Sequence, residues 1–334
     1  MSADLAAGLA LLALIAYAVL AGADFGGGIW DAFARGPRRD AQRDAIAHAM
    51  GPVWEANHVW LIFVVVLLFT CFPAAYAALS EGLFLPFHLV LLGIILRGAA
   101  FVFRAYSPMA GARRWGAVFG AASVITPVLL GMCLGAVSAG GLRVIGGRVV
   151  AEGGAPWLRP LPLATGGFAL AVCAYLAAVY LAIETDGALR EDFRRRALAA
   201  GTAVVAMSAL MLPLLYVQAP HLWHGLLGIR AAPVLAAGVA AALLSGWSLW
   251  RRRPRLARAS AIVQTACLLA GWGIAQHPYL IYPDVTVHAA AAPESTLRFV
   301  LWSTPFGMAL LLPSLWWLFR VFKSSPASPD VRTG

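Results

Sequence analysis

Apolar runs of about twenty residues recur along almost the whole chain, separated by short segments that are either crowded with arginine or rich in glycine and proline. A helix needs ~20 apolar residues to cross the hydrocarbon core of a bilayer. On that measure nine spans are expected, at 5–26, 52–74, 83–104, 115–138, 163–183, 197–216, 231–250, 258–277 and 298–322. Two connections are long enough to hold structure of their own. The first, Gly140 to Pro162, contains Val144-Ile145-Gly146-Gly147-Arg148-Val149-Val150, which predicts a hairpin about the glycine pair. The second, His277 to Leu297, has two prolines early and a helix-start signature at Pro293-Glu294-Ser295-Thr296.

The pattern therefore predicts an all-α polytopic membrane protein with one integral domain, 1–323, and a Ser- and Pro-rich tail, 324–334, expected to be disordered. Acids at the inner end of a span followed by arginines occur after the first span and again at Ile183-Glu184-Thr185-Asp186-Gly187. This recurrence suggests that helices 1–4 and 5–8 are related halves, giving two four-helix bundles plus one peripheral helix.

Composition agrees with the pattern. The chain is 61% hydrophobic and only 12% charged, where soluble domains carry about a quarter charged residues. A net charge of +10 would point to nucleic acid in a soluble protein. Here the basic residues separate by loop. Arg35, Arg38, Arg39 and Arg43, then Arg104, Arg113 and Arg114, then Arg190 and Arg194 to Arg196, then Arg251 to Arg253, Arg255 and Arg258 follow alternate spans, and Arg320, Lys323 and Arg332 close the chain. The positive-inside rule then places the N-terminus outside and the C-terminus in the cytoplasm. The excess charge reports topology, and no nucleic-acid partner is expected.

Cys71, Cys133, Cys173 and Cys267 fall within spans without CxxC spacing and read as small buried apolar residues, so neither disulfides nor a metal site is expected. Ala21-Gly22-Ala23 mimics a signal cleavage site, but no basic segment precedes it and the first helix is read as retained. Gly26-Gly27-Gly28 allows a neighbouring backbone to come close, as membrane helices require when lipid supplies no hydrophobic drive between them. With no strand before it, the triplet is not a phosphate loop.

The chemistry concentrates at Gly51 to Pro73, where Glu55, Asn57 and His58 sit between Trp54 and Trp60 at the mouth of a span. An ionisable group deep in a bilayer costs about 2.5–3.5 kcal/mol, so such residues mark function or an ion pair. Asp24 lies late in the first, inward-running helix, and Arg97 and Arg104 are seven residues apart on one helix face. Two acids and two arginines thus share the inner third of the first three spans. From position alone, Glu55 and Asp24 read equally as proton carriers or as partners of the arginines. His58 is a weak haem-ligand candidate, because His88, the other histidine within a span, lies near the opposite face. His48 falls in an inner loop, and His221, His224, His277 and His288, in or near outer loops, read as solvated. Trp30, Trp54, Trp60, Trp115, Trp316 and Trp317 read as interfacial anchors.

Together these motifs resemble subunit II of the cytochrome bd quinol oxidase family over most of the chain. The family's second helix opens Trp-Asp/Glu-x-Asn-x-Val-Trp-Leu, matched by Trp54-Glu55-Ala56-Asn57-His58-Val59-Trp60-Leu61, with Phe72-Pro73 and Tyr76 continuing. Its first helix closes Asp-Gly-Phe-Asp-x-Gly, here Ala21-Gly22-Ala23-Asp24-Phe25-Gly26, so the first acid is replaced. Its third helix shows Arg-x-x-x-Phe-acid-aromatic-Arg; Arg97, Phe101, Phe103 and Arg104 agree, and Val102 takes the acidic place. His277-Pro278-Tyr279-Leu280 and Ala292 to Leu297 are also similar to the family.

The resemblance implies a haem-free subunit in an enzyme that reduces oxygen to water with electrons from quinol. It implies that a larger subunit I carries haems b and d and that this chain binds no cofactor firmly, with small single-helix subunits, lipid or quinone as further companions. Glu55 first and Asp24 second are then the expected carriers of cytoplasmic protons. Asn57, His58, Trp54 and Trp60 support them, and Arg97 and Arg104 supply counter-charge. The competing classes are a secondary transporter, disfavoured because the charge cluster lies near one face, and a haem-bearing anchor of a quinone dehydrogenase.

Overall fold

A computed structural model describes residues 1–151 and 154–324, without the side chains of 50–56, 105, 109, 110, 151, 318, 319 and 321–324. The expected disordered tail lies, from residue 325 onward, outside the described residues. Helix α1 (Ser2–Ala32) is followed by α2 (Arg39–Cys71), α3 (Pro73–Gly82), α4 (Phe84–Tyr106) and α5 (Met109–Ser138). After strands β1 (Leu142–Ile145) and β2 (Arg148–Ala151) come α6 (Pro160–Glu184), α7 (Gly187–Gln218), α8 (Pro220–Leu227), α9 (Ala232–Trp250) and α10 (Pro254–Gln276). Strands β3 (Tyr279–Ile281) and β4 (Val285–Thr286) lead to α11 (Glu294–Ser324). Proline occupies the first or second position of α3, α6, α8, α9 and α10. There its missing N–H is no loss and its fixed φ suits the helix.

Among the described residues, eight helices are each long and apolar enough to cross a membrane, and α2 with α3 makes a ninth if that pair, bent by 117°, is one span. The bend falls where Pro73 removes a backbone donor, and Phe72 fills the corner fully buried.

Several helix ends differ from the hydropathy reading. Helix α1 runs to Ala32 instead of 26, α2 begins at Arg39 instead of 52, and α7 begins at Gly187 instead of 197. Arg39, Arg43, Arg190 and Arg194 to Arg196, expected in loops, are therefore helical. A hydropathy window registers only the lipid-immersed part of a helix, whereas backbone hydrogen bonding continues into water wherever arginine and acid residues favour it.

The helices α1, α2, α4 and α5 pack as one group and α6, α7, α9 and α10 as a second, joined where α1 and α5 meet α6. Helix α11 lies against α1 and α2, and none of its apolar window is buried by this chain. The α1/α6 seam depends on the glycine run, since a Cβ at Gly26 would collide with the Cys173 carbonyl and the Ala177 methyl. Cys71, Cys133 and Cys173 are buried, Cys267 is half-buried, and all four are free thiols.

At the end opposite the arginine clusters, the predicted hairpin forms from β1 and β2, with Gly146 and Gly147 at φ of 58° and 76°. Positive φ at both turn residues is what a two-residue turn between twisted strands demands. A second small hairpin, β3–β4, carries Asp284 at its tip. Arg143 donates to Asp284 from Nε (2.8 Å) and Nη2 (3.1 Å), and the Val144 N–H donates at 2.8 Å. The histidines at this end are not simply solvated. His221 stacks on Tyr282 at 4.9 Å, and His277 and His288 reach the same Asp4 oxygen at 3.4 and 3.1 Å.

Two outcomes test this description. Gly26→Ala should force α1 from α6 and destabilise the protein by about 1–3 kcal/mol, read as a lower thermal midpoint; an unchanged midpoint would mean the seam is loose. Arg143's hydrogen bonds, helped by Val144 and opposed by desolvation, hold the Asp284 carboxyl below its ordinary 3.8. Its stabilising contribution is therefore complete above the unfolded value of about 3.9 and is lost as pH falls through the lower folded value. Between roughly pH 5 and 3 the wild-type midpoint should fall more steeply than that of Asp284→Asn; parallel curves would contradict the clamp.

Candidate functional site

Asp24 is 1% exposed, on the face of α1 turned toward α4 and α5. Arg97 reaches it from α4 with a two-pronged ion pair, Nη1 to Oδ2 and Nη2 to Oδ1, both 2.6 Å. Its Nη2 also donates to the Asp24 carbonyl at 2.8 Å, and its Nε to the Ser123 hydroxyl at 3.0 Å. Asn57 on α2 donates to Asp24 Oδ2 at 2.7 Å. The guanidinium lies between the rings of Phe25 and Phe119, 5.0 and 4.9 Å from their centroids. Bidentate geometry and aromatic faces are the means by which an arginine is held in an apolar volume. Gly28 makes room, because a Cβ there would overlap the Ser123 hydroxyl.

A second rung lies one heptad on. Asp31, also buried, accepts from Arg104 Nη1 at 2.9 Å, and Arg43 Nε stands 3.8 Å from its carboxylate and 3.3 Å from its carbonyl. The acids are seven residues apart on α1 and the arginines seven apart on α4. Two helices running in the same direction, each rising about 10.5 Å per heptad, bring the rungs into register.

Asp31 escaped the sequence reading because the first span was taken to end at 26. The signal available was the seven-residue spacing shared by the acid pair and the arginine pair. Above this rung, at the arginine-rich end, a cavity of about 520 Å³ is lined by Arg39, Asp40, Arg43, Asp44, Arg104 and Arg113, among others. The two arginines that hold Asp31 thus also face an opening to solvent.

Of the residues singled out from sequence, Asp24, Asn57 and Arg97 come together, and Arg104 joins through Asp31. His58 is half-buried in α2, and Trp60 is half-buried against the cluster of Tyr17, Phe25 and Cys173. The Glu55 and Trp54 side chains lie outside the described residues. Trp30 is no lipid anchor. Its Nε1 donates to the Ala174 carbonyl at 2.7 Å and Arg196 lies 5.3 Å above its ring, so it fastens α1 to α6 and α7. His88 is exposed, its ring tilted by 36° against that of Phe84 with centroids 3.9 Å apart, and its Nδ1 lies 2.7 Å from the Phe84 carbonyl. Among the described residues no group of three or more His, Cys, Asp or Glu is arranged to hold a metal ion.

Long apolar helices enclosing ion pairs near one end define a polytopic helical membrane protein with a charged interior. More narrowly, the chain belongs to the cytochrome bd terminal oxidase subunit II family, whose profile matches residues 2–322. It is 26% identical over 318 residues to a putative cytochrome bd menaquinol oxidase subunit II of Bacillus subtilis, covering 92% of this chain and 91% of that protein. It is 32% identical over 125 residues to the cytochrome bd-I ubiquinol oxidase subunit 2 of Escherichia coli, covering 36% of this chain and 32% of that one. The fold is similar to a chain of the bd oxidase from Geobacillus thermodenitrificans, with a TM-score of 0.83 at 23% identity over 96% of this chain and 98% of the other.

Removing one partner of a buried ion pair leaves a charge uncompensated. Arg97→Gln should destabilise by about 3–5 kcal/mol, against roughly 1 kcal/mol for Ser123→Ala. The double change Asp24→Leu with Arg97→Met should recover most of the loss in thermal midpoint. A single Arg97 variant as stable as wild type would show that the pair is not structural.

Proposed function

We propose that this chain works as the haem-free subunit II of a cytochrome bd-type quinol oxidase, supporting a haem-bearing subunit I from the side and passing cytoplasmic protons toward it. Family membership makes the chain one subunit of an oxidoreductase complex that transfers electrons from quinol to oxygen. Haems b and d, held by the partner, supply the redox chemistry. What this chain contributes is the handling of protons and the positioning of charge.

The observation that carries this reading is the buried Asp24–Arg97–Asn57 cluster, lying beneath a solvent-reaching cavity at the arginine-rich end. By the positive-inside rule that end faces the cytoplasm, with the N-terminus outside. Water in the cavity meets Arg43 and Arg104, which hold Asp31; Asp24 follows about 10.5 Å further along the helix. Asn57 ties the α2 segment bearing Glu55 to Asp24. Glu55 is assigned the moving proton, and Asp24, clamped by two short bonds to Arg97, the fixed negative charge that orders the path.

The two acids of the family pattern that this chain lacks fall in different surroundings. Ala21 is buried beside Tyr17 and Phe25, so no relay begins there. Val102 is 47% exposed on the outer side of α4, facing lipid or a partner. Asp31 gives the path a carboxylate at its mouth without either.

In the assembled oxidase, Glu55→Gln should slow oxygen consumption on the order of ten- to hundredfold while the haem spectrum is unchanged. Asp24→Asn should slow it as well, judged only where the haem spectrum shows an intact complex. Wild-type turnover in both variants would remove these acids from the route.

A further inference from the structure

We propose that the cavity between the start of α7 and the turn joining α9 to α10 binds the phosphate of an anionic lipid headgroup. This cavity, of about 320 Å³, is lined by Ala182, Arg190, Glu191, Arg194, Arg252 and Arg253, among others. It is the second-half counterpart of the cavity above Asp31. Arg39-Asp40-x-x-Arg43 opens α2 beside the first cavity, and Arg190-Glu191-x-x-Arg194 opens α7 beside the second. Each is completed by an arginine at the end of the group's third long helix or just past it, Arg104 in α4 and Arg252 after α9.

The two differ in how much acid answers their arginines. Ala32 and Ala182 line the respective cavities, and the residue before each is buried: Asp31 in the first, Leu181 in the second. The first cavity's arginines are thus answered from below by a carboxylate. The first cavity's four lining arginines also share two lining acids, Asp40 and Asp44, whereas the second's four face one, Glu191, and the buried residue before Ala182 is the apolar Leu181. Glu191 is already engaged with Arg194 (2.6 and 2.9 Å) and Arg195 (3.3 Å). Arg190 turns to Asp186, an exposed acid on its own loop. Arg252 is left 3.8 Å from Glu191, and Arg253 lies over the Trp247 ring at 5.4 Å. Clustered guanidinium groups with so little counter-charge repel one another until an anion enters, and their fork geometry suits phosphate oxygens.

Backbone conformation supplies a second, independent observation. Arg252 has φ of 56°, and the turn is closed by the Arg252 N–H on the Leu249 carbonyl and the Arg253 N–H on the Ser248 carbonyl. Helices commonly end on glycine at such a place, since a side chain there is strained. An arginine kept in the glycine position points to a use for its charge. Depth identifies the ligand as lipid. Trp247 and Trp250 lie within the preceding turn, with Leu243 and Leu244 exposed below them. A phospholipid with its chains along that face and its headgroup level with the tryptophans would place its phosphate at the arginines. Basic pockets between membrane helices at the cytoplasmic side take anionic headgroups by this chemistry.

The test uses the purified, delipidated oxidase complex, titrated with phosphatidylglycerol, phosphatidylcholine or inorganic phosphate and read by native mass spectrometry and thermal midpoint. Wild type should retain phosphatidylglycerol over phosphatidylcholine, and Arg252→Gly should weaken that retention about fivefold. The same variant should keep or raise the lipid-free midpoint, because glycine relaxes the turn, which separates binding from folding. Arg255→Gln, an equal change in net charge away from the cavity, should leave retention unchanged. Equal retention in wild type and Arg252→Gly, or no preference between the two lipids, would overturn the proposal. So would arginine-dependent stabilisation by inorganic phosphate to which phosphatidylglycerol adds nothing, since the ligand would then be a soluble anion.

Discussion

A guanidinium and a carboxylate that share an apolar volume are each tolerable only because of the other, and this condition at Arg97 and Asp24 governs the first half of the molecule. Either charge alone in a bilayer costs several kcal/mol. Joined by two short bonds, with the remaining donors on Ser123 and a backbone carbonyl, they are held where neither would otherwise stay. The requirement reaches outward. It sets α1 and α4 in register, it requires the glycines of α1 so that α5 and α6 can come close, and it brings Asn57 of α2 to the same oxygen.

A charge fixed so firmly is better suited to organising a path than to carrying a proton along it. The second rung, Asp31 with Arg104 and Arg43, stands between that fixed charge and water, and it is more loosely held, with one contact at 2.9 Å and another at 3.8 Å. The proposed route would follow this gradient from the more exposed outer pair to the rigid interior one. Of the two positions where the family pattern carries further acids, Ala21 is apolar interior and Val102 faces outward.

The halves of the molecule repeat one plan and fill it differently. The same Arg-acid-x-x-Arg opening recurs beside each cavity, but the buried residue before the lining alanine is Asp31 in the first and Leu181 in the second. With one lining acid fewer and no buried carboxylate before its lining alanine, the second arginine cluster has less counter-charge than the first. The strained backbone at Arg252 belongs to the same contrast.

Membrane residence, the β1–β2 hairpin, the start of α11 and eight of the nine expected spans, with α2 and α3 supplying the ninth only if that bent pair is one crossing, were legible in the sequence, because each depends on local composition or on a turn's need for glycine or proline. The Trp54 to Leu61 motif was legible too, and so was the need for Arg97 to find an acid. Tertiary structure alone decided which acid, since a partner 73 positions away is chosen by helix register and not by spacing along the chain. It also decided that α1 and α7 run past their apolar windows, bringing in Asp31 and the helical arginines, because hydrogen-bonded backbone does not stop where hydropathy does. And it turned Trp30, an anchor by its sequence position, into a bond between helices. The chemistry of each residue could be read one letter at a time, but what each charge answers to depended on where folding put its neighbour.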